Sequence, residues 1–169
     1  MNQPHPQTPD LEAVFADRFK TYFTRTAPLQ ATSHLGEGAE VEFRVQETGD
    51  KAKEVFCLLK HNKVNEVRPG PGDAPHIVMT FTPQAAVEIL ANPSENVGEI
   101  GIQFASLIAS QDPKRKISIQ FKAGFLTLLS KGFIGVLSSG GKVFAHHLTT
   151  RGLSGMGALK TLISKFKKE

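Results

Sequence analysis

The chain has one cysteine, Cys57, among its 169 residues, which excludes an internal disulfide as a source of stability. That cysteine lies in an apolar strand pattern, VFCLL, and reads as a small buried hydrophobe rather than a reactive thiol. No apolar run is long enough to cross a bilayer, because Lys131 and several glycines interrupt the longest candidate. The opening residues MNQPHPQTPD lack the basic and apolar regions of a secretory signal. A soluble, cytoplasmic protein is therefore expected. No nucleophile, base and orienting group assemble into a catalytic set, so no enzyme is expected and no cofactor is implied.

Three short features resemble sites and fall short of them. His146 and His147 are adjacent, so a regular element cannot aim both at one ion, and no cysteine or carboxylate cluster lies nearby; no metal site is expected. Lys114-Arg115-Lys116 lacks an interleaved aromatic platform, so no nucleic-acid partner is expected. The breaker-rich Pro69–Pro75 lacks the GK[ST] ending and following helix of a phosphate loop.

What the chain does have is apolar surface. Residues 1–9 read as a disordered lead-in and residues 10–169 as a single domain, long enough to bury a real core. A first helix is expected from Asp10, its cap, to Thr26, ended by Pro28. Val41, Phe43 and Val45 alternate with polar residues as in a half-buried strand. Short turns then lead to EVFCLLK and KVNEVR, giving an antiparallel meander. His76–Phe81 and Arg115–Phe121 supply a fourth and fifth strand, so an α+β fold is expected rather than a doubly wound sheet.

Thr82 can cap a helix beginning at Pro83, and Val97, Ile100, Phe104, Leu107 and Ile108 form one stripe of the next. GFLTLLSKGFIGVLS reads as a further helix, apolar over most of its circumference, which must be surrounded by protein or by some other apolar body. The last element sets Leu153, Met156, Leu159, Leu162, Ile163 and Phe166 against lysines, as an amphipathic helix would. Residues 151–169 carry a net charge of +4, whereas the other 150 residues hold 15 basic and 15 acidic side chains.

The strings DAPHIVMTFTPQAAVEIL, VGEIGIQFASLIAS and RKISIQF, with a glycine soon after and an apolar helix behind, are similar in order and pattern to the sterol carrier protein type-2 family of lipid-transfer domains. The likeness spans about residues 10 to 168. It departs at the insertion PSENVGEIGIQFASLIASQDPK and in the length of the helix after the fifth strand. The resemblance implies a five-stranded sheet packed against helices, with a hydrophobic cavity between them that holds a sterol, fatty-acyl or phospholipid ligand.

On that reading Phe104, Leu107, Ile108, Phe125, Leu129 and Phe133 line the lipid cavity. Lys160, Lys165, Lys167 and Lys168 meet an anionic membrane transiently, at about 1 kcal/mol per basic residue. The expected function is non-enzymatic lipid binding, extending to intermembrane transfer. The competing reading is a protein–protein interaction module or homodimer that uses the same apolar surface. A third, weaker one is an enzyme acting on an acyl substrate through Cys57 or a histidine.

Overall fold

The computed structural model describes residues 14–47 and 49–150, so the expected lead-in and the amphipathic segment 151–169 lie outside the described residues. Two helices, α1 (Val14–Tyr22) and α2 (Thr26–Thr32), precede strands β1 (Glu40–Val45), β2 (Glu54–His61), β3 (Val64–Pro69) and β4 (Ile77–Phe81). Then follow α3 (Pro83–Ala91), α4 (Val97–Ile108), β5 (Ile117–Phe121), α5 (Phe125–Ser130), α6 (Phe133–Ser138) and α7 (Gly141–Thr150). The strands form one mixed sheet in the order β3-β2-β1-β4-β5, in which only β1 and β4 run parallel. The architecture is α+β.

Strand alternation places every second residue on the helix-bearing face. Pairing aligns these residues in three ranks: Glu54, Val45, Phe81 and Ile117 at the top; Phe56, Phe43, Met79 and Ile119 in the middle; Leu58, Val41, Ile77 and Phe121 at the bottom. Phe19 of α1 packs on Phe43, Phe56 and Phe81, with ring centroids 5.8, 5.3 and 5.7 Å away. Ala85, Ala86 and Ile89 of α3 are fully buried in the same core.

Strand β2 also secures two helix ends. The Glu54 carboxylate accepts hydrogen bonds from Phe15 N and Ala16 N, at 2.9 and 2.8 Å, placing negative charge at the start of α1. Lys60 donates from Nζ to the Thr32 carbonyl at the end of α2 and to Asn65 Oδ1, both at 3.3 Å. Both side chains thus carry the sign that a helix dipole favours at that end.

On the opposite face, residues 70–76 cross from β3 to β4. Gly72 N and Ala74 N donate to the carboxylates of Glu42 and Glu40, each at 3.2 Å, and His76 N donates to the Glu40 carbonyl at 2.9 Å. Both glutamates are buried, as is Cys57 beside them. Burial, reinforced by the nearby Glu40 carboxylate, pushes the Cys57 thiol up, so it stays protonated.

Two helix boundaries differ from expectation. The first helix stops at Tyr22, and Pro28 sits in the first turn of α2 instead of terminating its predecessor. A missing amide removes no helix bond there. The long apolar helix is two short ones, broken at Gly132, whose φ of +83° is left-handed. A Cβ on Gly132 would collide with the His34 carbonyl, so this corner requires glycine twice over.

Candidate functional site

Between the sheet and α2, α4 and α6 lies a cavity of about 270 Å³, just below the roughly 300–1,000 Å³ typical of small-molecule pockets. Its floor is the middle and bottom ranks of the sheet: Val41, Phe43, Leu58, Ile77, Met79, Ile119 and Phe121. Helix α4 contributes Val97, Ile100, Gly101, Phe104 and Ile108, which repeat at three- and four-residue spacing and so share one face. Helix α6 contributes Phe133, Ile134, Val136 and Leu137, and α2 contributes Pro28, Ala31 and Thr32. Leu137 is the one wall residue exposed to an appreciable degree, at 37%, which marks where the wall meets solvent.

Local rules hold this roof in place. Asn96 Oδ1 accepts from Glu99 N at 3.2 Å and caps α4. At Gly98 an added Cβ would lie 2.5 Å from the Gly140 carbonyl oxygen, so α4 meets the corner after α6 backbone to backbone. The break between α5 and α6 is tied to the loop after α2, with Gly36 N donating to the Lys131 carbonyl at 2.9 Å and Lys131 Nζ to the Glu37 carbonyl at 2.8 Å.

The wall carries two side-chain hydroxyls. Thr32 Oγ1 donates to the Pro28 carbonyl at 2.8 Å and accepts from Asn65 Nδ2 at 2.7 Å, so it is already satisfied. Tyr22 makes no side-chain hydrogen bond among the described residues, and burial raises its hydroxyl pKa to about 12, leaving it a neutral donor. His76 borders the site, its ring 5.7 Å from that of Phe133, and its Nδ1 accepts from Glu40 N at 3.2 Å. Burial pulls the His76 pKa below the ordinary histidine range, with Lys131 acting the same way.

Of the six side chains expected to line a cavity, Phe104, Ile108 and Phe133 stand in the wall. Leu107 is fully buried in the core outside it, Phe125 packs against the core, and Leu129 is 43% exposed. Leu128 of α5 lines the cavity where Leu129 was expected to do so. The floor residues of β4 and β5 were not foreseen as lining, although their alternation carried the signal. Lys160, Lys165, Lys167 and Lys168 lie outside the described residues. Among the described residues no group of three or more His, Cys, Asp or Glu is placed to hold a metal ion, and no helix is long and apolar enough to cross a membrane.

No family model matches this sequence, and no curated protein does. Among solved structures the chain is similar to one described as "UbiJ-SCP2 Ubiquinone synthesis protein", with a TM-score of 0.42 and 15% sequence identity, covering 80% of this chain and 93% of that one.

Proposed function

We propose that this chain binds a lipid with a long hydrocarbon portion, held non-covalently in the cavity between the sheet and α2, α4 and α6. The observation that carries the reading is the wall itself: it is apolar throughout apart from Tyr22 and Thr32, and Thr32 spends its hydroxyl internally. A concave apolar space with few polar groups suits a ligand held by burial alone, at about 0.8 kcal/mol per methylene removed from water. Fatty-acyl chains, sterols and phospholipid tails all meet that description.

The role is binding without catalysis, extending to transfer between membranes. The buried thiol of Cys57 lies on the other face of the sheet and is held in its unreactive form, which argues against it as a nucleophile toward a ligand in the cavity. Reversible docking through Lys160, Lys165, Lys167 and Lys168 belongs to the same proposal.

Native mass spectrometry after gentle purification tests it. Co-purified lipid, displaced by a fluorescent fatty acid, is the expected result. A ligand-free chain that takes up no fatty acid and forms a stable dimer would instead favour an interaction module. Tyr22 supplies a finer measurement: Tyr22→Phe should weaken ligands that carry an oxygen near the chain about three- to tenfold, since one hydrogen bond contributes roughly 0.5–1.5 kcal/mol, and leave pure hydrocarbons unaffected.

A further inference from the structure

Charge is divided unevenly along the sequence. From Pro113 to Lys168 the sequence contains eleven lysines and arginines and neither aspartate nor glutamate, whereas residues 1–112 hold fifteen acidic and nine basic side chains. This acid-free stretch includes β5, α5, α6 and α7. Within it α5 has leucines on opposite sides. Leu128 is fully buried in the cavity wall, while Leu126 and Leu129, three residues apart and so neighbours on the helix surface, are 76% and 43% exposed. Leu126 is the most exposed large hydrophobic side chain among the described residues.

Single exposed leucines are ordinary. The next helix carries Leu137, which is both cavity wall and surface, and the two leucines are flanked in sequence by Lys122, exposed before α5, and Lys131 after it. The Lys131 ammonium rests on the Glu37 carbonyl, while the Glu37 carboxylate is turned to His61 and to Asn62 N. No carboxylate is supplied by α5, α6 or the turn between them.

We infer that α5 is a membrane-docking face: Leu126 and Leu129 enter the interface of an anionic bilayer, with Lys122 and Lys131 at headgroup level and the α6 mouth of the cavity facing the lipid. The inference rests on the lipid-binding reading and names its partner. Charge complementarity selects the occupant, because a cationic rim around apolar side chains is attracted to anionic headgroups, whereas a second copy would bring like charges together. The acidic first two thirds of the chain would also turn that face toward the membrane during approach.

Co-sedimentation with phosphatidylglycerol-containing vesicles and with pure phosphatidylcholine vesicles tests the inference, alongside uptake of a fluorescent fatty acid in solution. Leu126→Ser/Leu129→Ser should bind the anionic vesicles about tenfold more weakly or worse, given the apolar area withdrawn from the interface, yet take up fatty acid as the wild type does. Lys122→Gln should weaken binding less and flatten its salt dependence. Unchanged vesicle binding by the double serine variant overturns the docking face. So does a lipid-free wild type that is dimeric where that variant is monomeric, since a second copy would then cover the patch. A wild type that takes up no fatty acid counts against the cavity reading instead, and the vesicle comparison does not depend on that result.

Discussion

The upper and lower halves of the same sheet face are built from the same kinds of residue to opposite ends. In the upper half, Val45, Phe81 and Ile117 are fully buried beneath α1 and α3, and the rings of Phe19, Phe56 and Phe81 fill the space, with Phe43 at the boundary where its ring also meets the cavity. In the lower half, Ile77, Met79, Ile119 and Phe121 keep accessible surface, because α2, α4 and α6 stand off from them around the cavity. The composition of the two floors does not separate them. The cover does: α1 drives an aromatic side chain down onto the sheet, while α4 and α6 stand over the hollow and are fixed to each other by the backbone contact of Gly98 with Gly140. A hollow of this kind needs a rigid frame more than it needs special lining residues.

The sharpest way to break the comparison is to empty the full half. Phe56→Ala should cost about 3–5 kcal/mol, as for large aromatic truncations in a close-packed core, whereas Ile119→Ala should cost much less because its site is already incompletely packed. Urea denaturation of both variants measures the difference, and equal losses would mean the lower half is packed in solution. Next in size, Gly132→Val attacks the frame. A β-branched residue at φ +83° against the His34 carbonyl should lower stability by roughly 2–4 kcal/mol and reduce fatty-acid binding with it.

Filling the hollow half should do the reverse of emptying the full one. Ile119→Phe enlarges a side chain that faces open space, so stability should change by less than about 1 kcal/mol, against the roughly 1–3 kcal/mol of an overpacked core, while fatty-acid affinity falls. Leu129→Trp, at the surface, should leave cavity affinity unchanged.

The smallest effect concerns pH. His76 is held neutral by burial, so the unfolded chain binds its proton at higher pH than the folded one. Its contribution to stability is complete above the ordinary histidine pKa and declines as pH falls below about 6.5 toward the depressed folded value. Thermal unfolding between pH 7 and 5 should show this decline, and His76→Gln should flatten it.

Much of the frame was legible from local rules. Alternation placed the floor residues on one face of their strands, Thr82 announced α3 by accepting from Ala85 N at 3.3 Å, and the stripe on α4 put Phe104 and Ile108 on the cavity side. What stayed hidden depended on distant partners or on backbone choices with two solutions. Pro28 could end one helix or begin another, since both are first-turn or terminal positions for proline. Gly132 could be carried inside a helix at about 1 kcal/mol or turn the chain, and only the His34 carbonyl decides. On a continuous helix Leu129 stands in line with Phe125 and Phe133 at four-residue spacing, whereas α5 places Leu128 in the wall. Glu54 reaches amides 38 and 39 positions away, a pairing no local pattern contains.

The crossover of residues 70–76 has a mechanical consequence. It lies across the back of the sheet, fastened to β1 through Glu40 and Glu42, while α1 clamps the front of the upper half. The floor of the hollow is therefore the stiff wall of a vessel, and the opposite side is built from two short helices, α5 and α6, joined through Lys131 and Gly132. The vessel's capacity is therefore set by where that corner is pinned to the loop after α2, and not by the sheet beneath it.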